Sequence, residues 1–218
     1  MTMGSDNIGK DGLPEMSLDE RNNGEATTMK LLMGLFTIPV VIGYCIAYAI
    51  YTFGSTAAYA QKIALVVSYD MHYVYLAAFI ISRLTVWLNN YPMLAKSRVM
   101  TAKSGNLRSN MYIFKEYNSD KTVVLDDGEE TGKYNRANRS LHHYVENVPG
   151  LLVGMPLAGF CFPMAAVVLV SIFAVGRILH QSAYTKGYGA HAPGFMLAML
   201  SAATMDGVIL LVALKGFF

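Results

Sequence analysis

Two long stretches of this chain carry no charged residue, and they constrain its fold more than any other feature. No Asp, Glu, Lys or Arg occurs between Lys30 and Lys62, or between Glu146 and Arg177. A helix needs about 20 apolar residues to cross a bilayer, and both stretches are longer. Only 15% of the 218 residues are charged, whereas soluble domains carry about 25%. The chain is therefore predicted to be an integral, multi-pass membrane protein.

The apolar residues group into five segments that predict an all-α helical bundle in the membrane. These segments cover about residues 31–53, 61–88, 136–160, 164–184 and 193–218. Residues 1–30 are polar and net acidic, which is typical of a disordered tail. Residues 89–135 are also polar, and nine Lys or Arg occur from Lys96 to Arg139. Basic loops favour the cytosolic side, so this segment and the N-terminus are both predicted to be cytosolic. Within it, the segments on either side of residues 118–121 predict a small β-hairpin.

The third apolar segment opens with a stripe of ionisable residues. Arg136, Arg139, His143 and Glu146 recur at positions i, i+3, i+7 and i+10, which places them on one side of a helix. Ionisable groups are costly at membrane depth and normally face a partner or a wet cavity. The stripe indicates either such a cavity or an interfacial cluster that tethers helix ends and meets phosphate headgroups. Spacing alone leaves both interpretations open.

A second polar stripe, at the end of the fourth segment, favours the cavity. Arg177, His180, Gln181 and Tyr184 lie at i, i+3, i+4 and i+7. Taken alone, these residues are also explained by snorkelling and an aromatic belt. Both stripes, however, lie at the same membrane side, and two convergent stripes favour a small-molecule site. Arginines beside a carboxylate suit a ligand with carboxylates and an ammonium group. Glutathione matches this pattern, as do other zwitterions and phospholipid headgroups.

The two stripes also resemble signatures of a known family. Arg136-x-x-Arg139 followed by Glu146-Asn147-x-Pro149 resembles the second-helix signature of microsomal glutathione transferases and cysteinyl-leukotriene synthase. Gly176-Arg177 with Ala183-Tyr184 resembles their third-helix signature. These enzymes belong to the MAPEG family, the membrane-associated proteins of eicosanoid and glutathione metabolism. The resemblance extends from about Tyr73 to the C-terminus and is strongest between the two signatures.

The resemblance implies a fold, an assembly and a set of site residues. It implies a four-helix subunit formed by residues 61–218, to which residues 31–53 add a transmembrane helix. It also implies a homotrimer that binds glutathione between neighbouring subunits on the cytosolic side. The predicted glutathione-binding residues are Arg136, Arg139, His143, Glu146, Arg177, His180 and Tyr184. Tyr184 and His191 are the predicted catalytic residues, although His191 stands where cysteinyl-leukotriene synthase has an arginine. His143 stands where the family usually has asparagine.

The implied function is a membrane-bound glutathione transferase or peroxidase, with glutathione as co-substrate and a lipophilic electrophile or lipid hydroperoxide as substrate. The endoplasmic reticulum or another intracellular membrane is the expected location. A non-catalytic accessory or structural subunit of a larger membrane complex is the alternative. A third hypothesis is an ion or proton carrier that uses Asp70 and Asp206. The net charge of +2 does not suggest a nucleic-acid partner. We expect no metal site at His142-His143, and we expect Cys45 and Cys161 to be free thiols in the core.

Overall fold

The computed structural model describes residues 9, 13–100, 112–117 and 122–217. Within these residues it contains seven helices and one two-stranded sheet. The helices are α1 (Leu18–Phe53), α2 (Thr56–Ser68), α3 (His72–Asn90), α4 (Pro92–Lys96), α5 (Glu129–Cys161), α6 (Pro163–Lys186) and α7 (Ala192–Phe217). The strands are β1 (Phe114–Tyr117) and β2 (Thr122–Leu125). They pair antiparallel, which confirms the predicted hairpin, whose turn residues 118–121 lie outside the described residues.

Several of these helices are long enough and apolar enough to cross a membrane. Among the described residues, α1, α6 and α7 meet this test alone, and α2 with α3 meets it as a bent pair. Helices α3, α5, α6 and α7 pack together around one apolar core, and α1 lies against α3 and α4. The predicted all-α membrane bundle, with four core helices and one added N-terminal helix, is therefore confirmed.

The core shows how α3 packs against the rest of the bundle. Ala77, Ile81, Leu84 and Leu88 recur every three or four residues on α3 and are almost fully buried. This spacing forms one continuous apolar stripe, as the helical period requires. The Tyr144 hydroxyl of α5 lies at hydrogen-bond distance, 2.6 Å, from the Thr85 hydroxyl of α3. Packing and this hydrogen bond together fix α3 against the helices that carry the polar stripes.

The predicted disordered tail is partly wrong, because α1 begins at Leu18 rather than near Leu31. The Ser17 hydroxyl accepts a hydrogen bond from the Glu20 backbone N–H, and the Glu20 carboxylate accepts one from the Ser17 N–H. This reciprocal capping box satisfies free backbone donors at the start of a helix. Composition marked the segment as polar, but capping and contacts with the following elements make it helical.

The predicted second segment, residues 61–88, is not one continuous helix. It is divided between α2 and α3, whose axes are bent by 96°. Asp70, between them, has φ of 56°, a left-handed conformation that a continuous helix does not contain. Helix α3 alone, at about 28 Å, spans most of a bilayer core of about 30 Å. Asp70 therefore lies at the end of this span and is exposed.

Two other expectations also need correction. Helix α5 begins at Glu129, about two turns before the predicted start at Arg136. Cys45 and Cys161 are free thiols as predicted, but both are exposed on the subunit surface rather than in the core.

Arg98 joins the beginning of α1 to the beginning of α5. Its guanidinium pairs with the Glu25 carboxylate of α1 at 2.7 Å and with the Glu130 carboxylate of α5 at 2.8 Å. The hydrogen bonds from Arg98 lower the pKa of the Glu130 carboxyl. Helix α1 is also close to Ser97 at Gly24, since a Cβ there would lie 2.9 Å from the Ser97 carbonyl oxygen. The start of α1 and the end of α3 thus lie on the same side of the bundle.

We expect Arg98→Gln to weaken the attachment of α1 to the bundle. We also expect the stability of the variant to fall less steeply than that of the wild type as the pH is lowered from neutral to acidic. Glu130 has a lowered pKa in the folded chain, so its ion pair stabilises the fold fully above the unfolded pKa of about 4.3. This contribution is lost as the pH falls through the lower folded pKa. Thermal unfolding, followed by the fluorescence of Trp87 from neutral to acidic pH, measures the difference. Lys133→Gln is the control, because Lys133 reaches Glu130 only at 3.5 Å. Identical profiles for wild type and Arg98→Gln would contradict the role of this ion pair.

Candidate functional site

Helices α5 and α6 are joined by a line of buried hydrogen bonds. The Arg177 guanidinium donates to the Ser140 carbonyl oxygen at 2.9 Å. The Ser140 hydroxyl lies 3.0 Å from Nδ1 of His180. One turn further, the Gln181 amide donates to the Ala137 carbonyl oxygen at 3.0 Å. Unpaired polar groups are costly inside a membrane protein, so these bonds fix how the two helices face each other.

Arg177 is the most deeply buried charge of the predicted site, with only 3% of its surface exposed. Its guanidinium lies 2.9 Å from Nδ1 of His143 and 5.6 Å from the ring centre of Tyr144. A guanidinium can only donate, so His143 accepts at Nδ1 and is a neutral imidazole with its proton on Nε2. The Nε atom of Arg177 is buried, and no residue in the described part of the chain hydrogen-bonds it. Arg177 therefore orients His143 rather than reaching the mouth of the site.

Five predicted site residues and two others line one cavity of about 210 Å³. These are Arg139, Ser140, His143, His180, Tyr184, His191 and Phe195. The rings of His180 and Tyr184 are stacked, with centroids 5.4 Å apart. The His191 ring meets that of Tyr184 edge to face at 5.0 Å. Nδ1 of His191 accepts a weak hydrogen bond, 3.4 Å long, from the Gly189 backbone N–H. This leaves Nε2 of a neutral His191 as a donor.

An ion pair lies beside this cavity: Arg139 is part of the cavity lining, and Glu146 is not. Arg139 and Glu146 are two helical turns apart on α5, and their charged groups approach to 2.9 Å. Their side chains are 49% and 55% exposed, so both charges remain accessible to a ligand. A cation and an anion at one opening can bind the carboxylate and the ammonium group of the same zwitterion.

Arg136 does not line this cavity, although the sequence places it on the same stripe. Its Nε donates to the Thr185 carbonyl oxygen at 3.2 Å, and its guanidinium lies 5.6 Å from the Tyr188 ring centre. Arg136 thus binds the C-terminal end of α6, where unpaired carbonyl groups attract a cation.

A second cavity of about 310 Å³ adjoins the first and shares His143 and Phe195 with it. Arg177 and Asp206 also line this cavity, between α5, α6 and α7. Asp70, the other carboxylate of the proton-carrier hypothesis, lies at the α2–α3 bend and not in this cavity.

Sequence reasoning missed Ser140, Phe195 and Arg83. Ser140 has the same helical spacing as its polar neighbours but is too common a residue to stand out. Phe195 gives no sequence signal, because an aromatic in an apolar helix is ordinary core. Arg83 gives a clear signal, since it is the one Lys or Arg in the predicted segment 61–88 besides Lys62. His142 hydrogen-bonds the Tyr112 hydroxyl at 2.7 Å, and in the described part of the chain no three His, Cys, Asp or Glu are grouped to hold a metal.

Comparison with protein families gives one match. A model described as the MAPEG family matches residues 72–211, which include α3, α5, α6 and every residue of the predicted site. Helices α1 and α2 precede the matched region. Comparisons with curated proteins and with solved structures returned no match.

Proposed function

Because the chain belongs to the MAPEG family, we propose that it binds glutathione and either transfers it to lipophilic electrophiles or uses it to reduce lipid hydroperoxides. The observation that supports this most is the accessible ion pair of Arg139 and Glu146. It lies beside a cavity lined by His180, Tyr184 and His191.

The charges of this ion pair complement those of glutathione. Arg139 would bind a carboxylate of glutathione through charge-assisted hydrogen bonds, each worth about 1.5–3 kcal/mol. Glu146 would accept hydrogen bonds from the ammonium group. Both side chains are half exposed, so exchanging their mutual ion pair for ligand contacts requires little desolvation. His143, oriented by Arg177, offers its Nε2–H as a further donor.

The catalytic requirement is a glutathione thiolate. A free thiol has a pKa of about 8.5, and lowering it by two units takes about 2.7 kcal/mol. In our proposal, the Tyr184 hydroxyl and Nε2–H of His191 donate hydrogen bonds to the sulfur, and the charge of Arg139 favours the anion. Histidine, unlike arginine, is not a permanent cation, so we propose that the activity is weak.

The size of the cavity supports an assembly of several subunits. Ligand sites usually measure about 300–1,000 Å³, and the cavity beside Tyr184 measures about 210 Å³. We propose a homotrimer in which the neighbouring subunit completes the site. The exposed face of α5 is suited to this packing, because its residues follow the alternating spacing of four and three that is typical of helix–helix seams. These residues are Glu146, Gly150, Val153, Leu157 and Phe160. The site would face the cytosol, in the endoplasmic reticulum or another intracellular membrane.

We expect His191→Arg to raise transferase activity. A permanent cation beside Tyr184 stabilises the thiolate, and a fall of one unit in the pKa of the thiol raises the thiolate fraction at pH 7 by about tenfold. The assay is conjugation of glutathione to a small aromatic electrophile by the purified full chain, followed from pH 6 to 8.5. Its rate profile should shift to lower pH in the variant.

Ala190→Arg is the matched control, because Ala190 is exposed in the same loop and does not line the cavity. It should leave the rate profile of the wild type unchanged. Equal activation by both substitutions would contradict a specific role of position 191. No conjugation and no peroxide reduction by any of the three chains would contradict the proposed enzyme.

The second candidate function is an accessory subunit of a larger membrane complex. Helix α1 favours it, because Leu32 is the only buried residue that this 36-residue helix contains. Its remaining apolar surface is available to a partner or to lipid. A chain that copurifies stoichiometrically with another membrane protein and lacks activity would support this function instead.

A further inference from the structure

Arg83 lies within the membrane-spanning helix α3 and contacts α1. Its guanidinium carbon lies 4.9 Å from the ring centre of Phe36 on α1. Its Nε atom is buried and has no hydrogen-bond partner among the described residues. No ion pair of Arg83 occurs among the residues that the structure describes. A cation within the membrane normally faces a counter-charge or water, so Arg83 is a candidate to bind an anionic ligand.

Arg83 lies in an apolar crevice between α1 and α3. The crevice consists of two adjoining cavities of about 480 and 580 Å³, which share Val40, Val41, Phe79 and Arg83. The first cavity also reaches Trp87 and α6, and the second follows α1 down to Ala47. In both cavities Arg83 is the one charged residue in the lining.

The length of the crevice matches one leaflet of a bilayer. From Phe36 to Ala47, α1 rises about 16 Å, and half of the hydrocarbon core is about 15 Å thick. Arg83 and Trp87 are on the half of α3 nearer to Asn90, on the same side as the Arg98 ion pairs. Arg83 lies only about 3 Å from the midpoint of α3, so a ligand that places its charge at Arg83 can extend its apolar part along α1 through the middle of the membrane.

We propose that this crevice binds a long-chain fatty acid, with its carboxylate on Arg83 and its chain along α1. A single cation matches a single carboxylate, and the apolar lining matches one acyl chain. Carboxylate binding would satisfy the buried Nε that the protein leaves unpaired. None of the lining residues belongs to the cavities beside Arg177 and Tyr184. One wall, α1, also lies outside the matched residues 72–211, so the proposal does not depend on glutathione binding.

Trp87 provides a direct readout, because it is the only tryptophan of the chain and lines the crevice beside Phe36. Purified full-length protein in phosphatidylcholine nanodiscs is titrated with stearic acid that carries a nitroxide quencher at carbon 5. We expect saturable quenching of Trp87 at low mole fraction. The methyl ester of the same probe should quench only in proportion to its concentration. A nitroxide at carbon 16 should quench less, because the chain end then lies deeper along α1.

The variants test the charge and the crevice separately. Arg83→Gln should weaken apparent binding of the acid by about tenfold or more, while Arg83→Lys should retain most of it. Val41→Phe keeps the charge but fills the crevice, so it should also weaken binding. Lys62→Gln, a change of an exposed cation on α2, is the matched control and should bind as wild type.

Several outcomes would overturn the proposal. One is equal quenching by the acid and its ester. Another is unchanged binding of the acid by both Arg83→Gln and Val41→Phe. A third is saturable binding of a spin-labelled phosphatidic acid that stearic acid does not displace, which would assign the site to a phospholipid. If Arg83→Gln loses affinity for glutathione while fatty-acid binding is unchanged, Arg83 belongs to the proposed glutathione site instead.

Discussion

Replacing Gly176 with valine is expected to separate α6 from α7 and to destabilise the bundle severely. A Cβ at Gly176 would lie 2.7 Å from the backbone nitrogen of Ala198 and 2.9 Å from the carbonyl oxygen of Gly194. A Cβ at Gly194 would lie 2.5 Å from the backbone nitrogen of His180. These neighbours are backbone atoms of helices and cannot rotate away as a side chain can. We therefore expect Gly176→Val, and likewise Gly194→Val, to lower the free energy of unfolding by about 3 kcal/mol or more. This value is at the upper end of the effects of overpacking.

Thermal unfolding of the purified variants measures this effect, with Gly207→Val as the matched control. Gly207 is also on α7, but among the described residues no atom beyond its own stretch of helix would lie within 4 Å of a Cβ at this position. The control should unfold close to wild type or slightly above it, because valine has a somewhat higher helical propensity than glycine. Gly176→Val should also lose glutathione binding, since the α6–α7 connection carries His191. A melting temperature for Gly176→Val equal to that of Gly207→Val would contradict the close helix crossing.

Arg139→Ala and Glu146→Ala are each expected to reduce glutathione affinity by about 10- to 100-fold. This range corresponds to the loss of one charge-assisted hydrogen bond, which is worth about 1.5–3 kcal/mol. Folding should change little, because exposed ion pairs contribute about 0–1 kcal/mol. The two effects should be similar in size, since one residue is proposed to bind a carboxylate and the other the ammonium group. Isothermal titration calorimetry on the purified chain measures both.

Lys215→Ala is the control for this pair of variants, because Lys215 is an exposed cation at the far end of α7. It should bind glutathione as wild type does. Unchanged affinity in both Arg139→Ala and Glu146→Ala would refute the proposed ligand contacts while leaving the fold intact.

The distribution of charge along the chain predicts the membrane bundle well, because lipid excludes charge over a fixed length. The same argument fails at the α2–α3 bend. Residues 61–88 are apolar enough for one helix, and the sharp turn at Asp70 depends on local backbone conformation that hydropathy does not contain. It also fails at α1, where polar residues 18–30 are helical because Ser17 caps them and Arg98 binds Glu25.

Helical periodicity brings the right parts of α5 and α6 together but does not give each residue its contact. Arg139 and Glu146 are accessible, whereas Arg177 is buried against His143 and Arg136 binds the end of α6. A stripe specifies the side of a helix and not the depth or partner of each side chain. Depth depends on which neighbouring helix covers the stripe, which only the packed structure determines.

Glutathione bound to this protein is expected to ionise at its thiol. Ultraviolet difference absorbance at pH 7 measures the thiolate on titration with glutathione, and S-methylglutathione, which has no thiol, is the control ligand. We predict a thiolate fraction above the roughly 3% that a pKa of about 8.5 gives in free solution. It should rise further in His191→Arg and fall in Tyr184→Phe. The proposed function would be contradicted if glutathione does not bind. It would also be contradicted if glutathione binds but remains a thiol in both the wild type and His191→Arg.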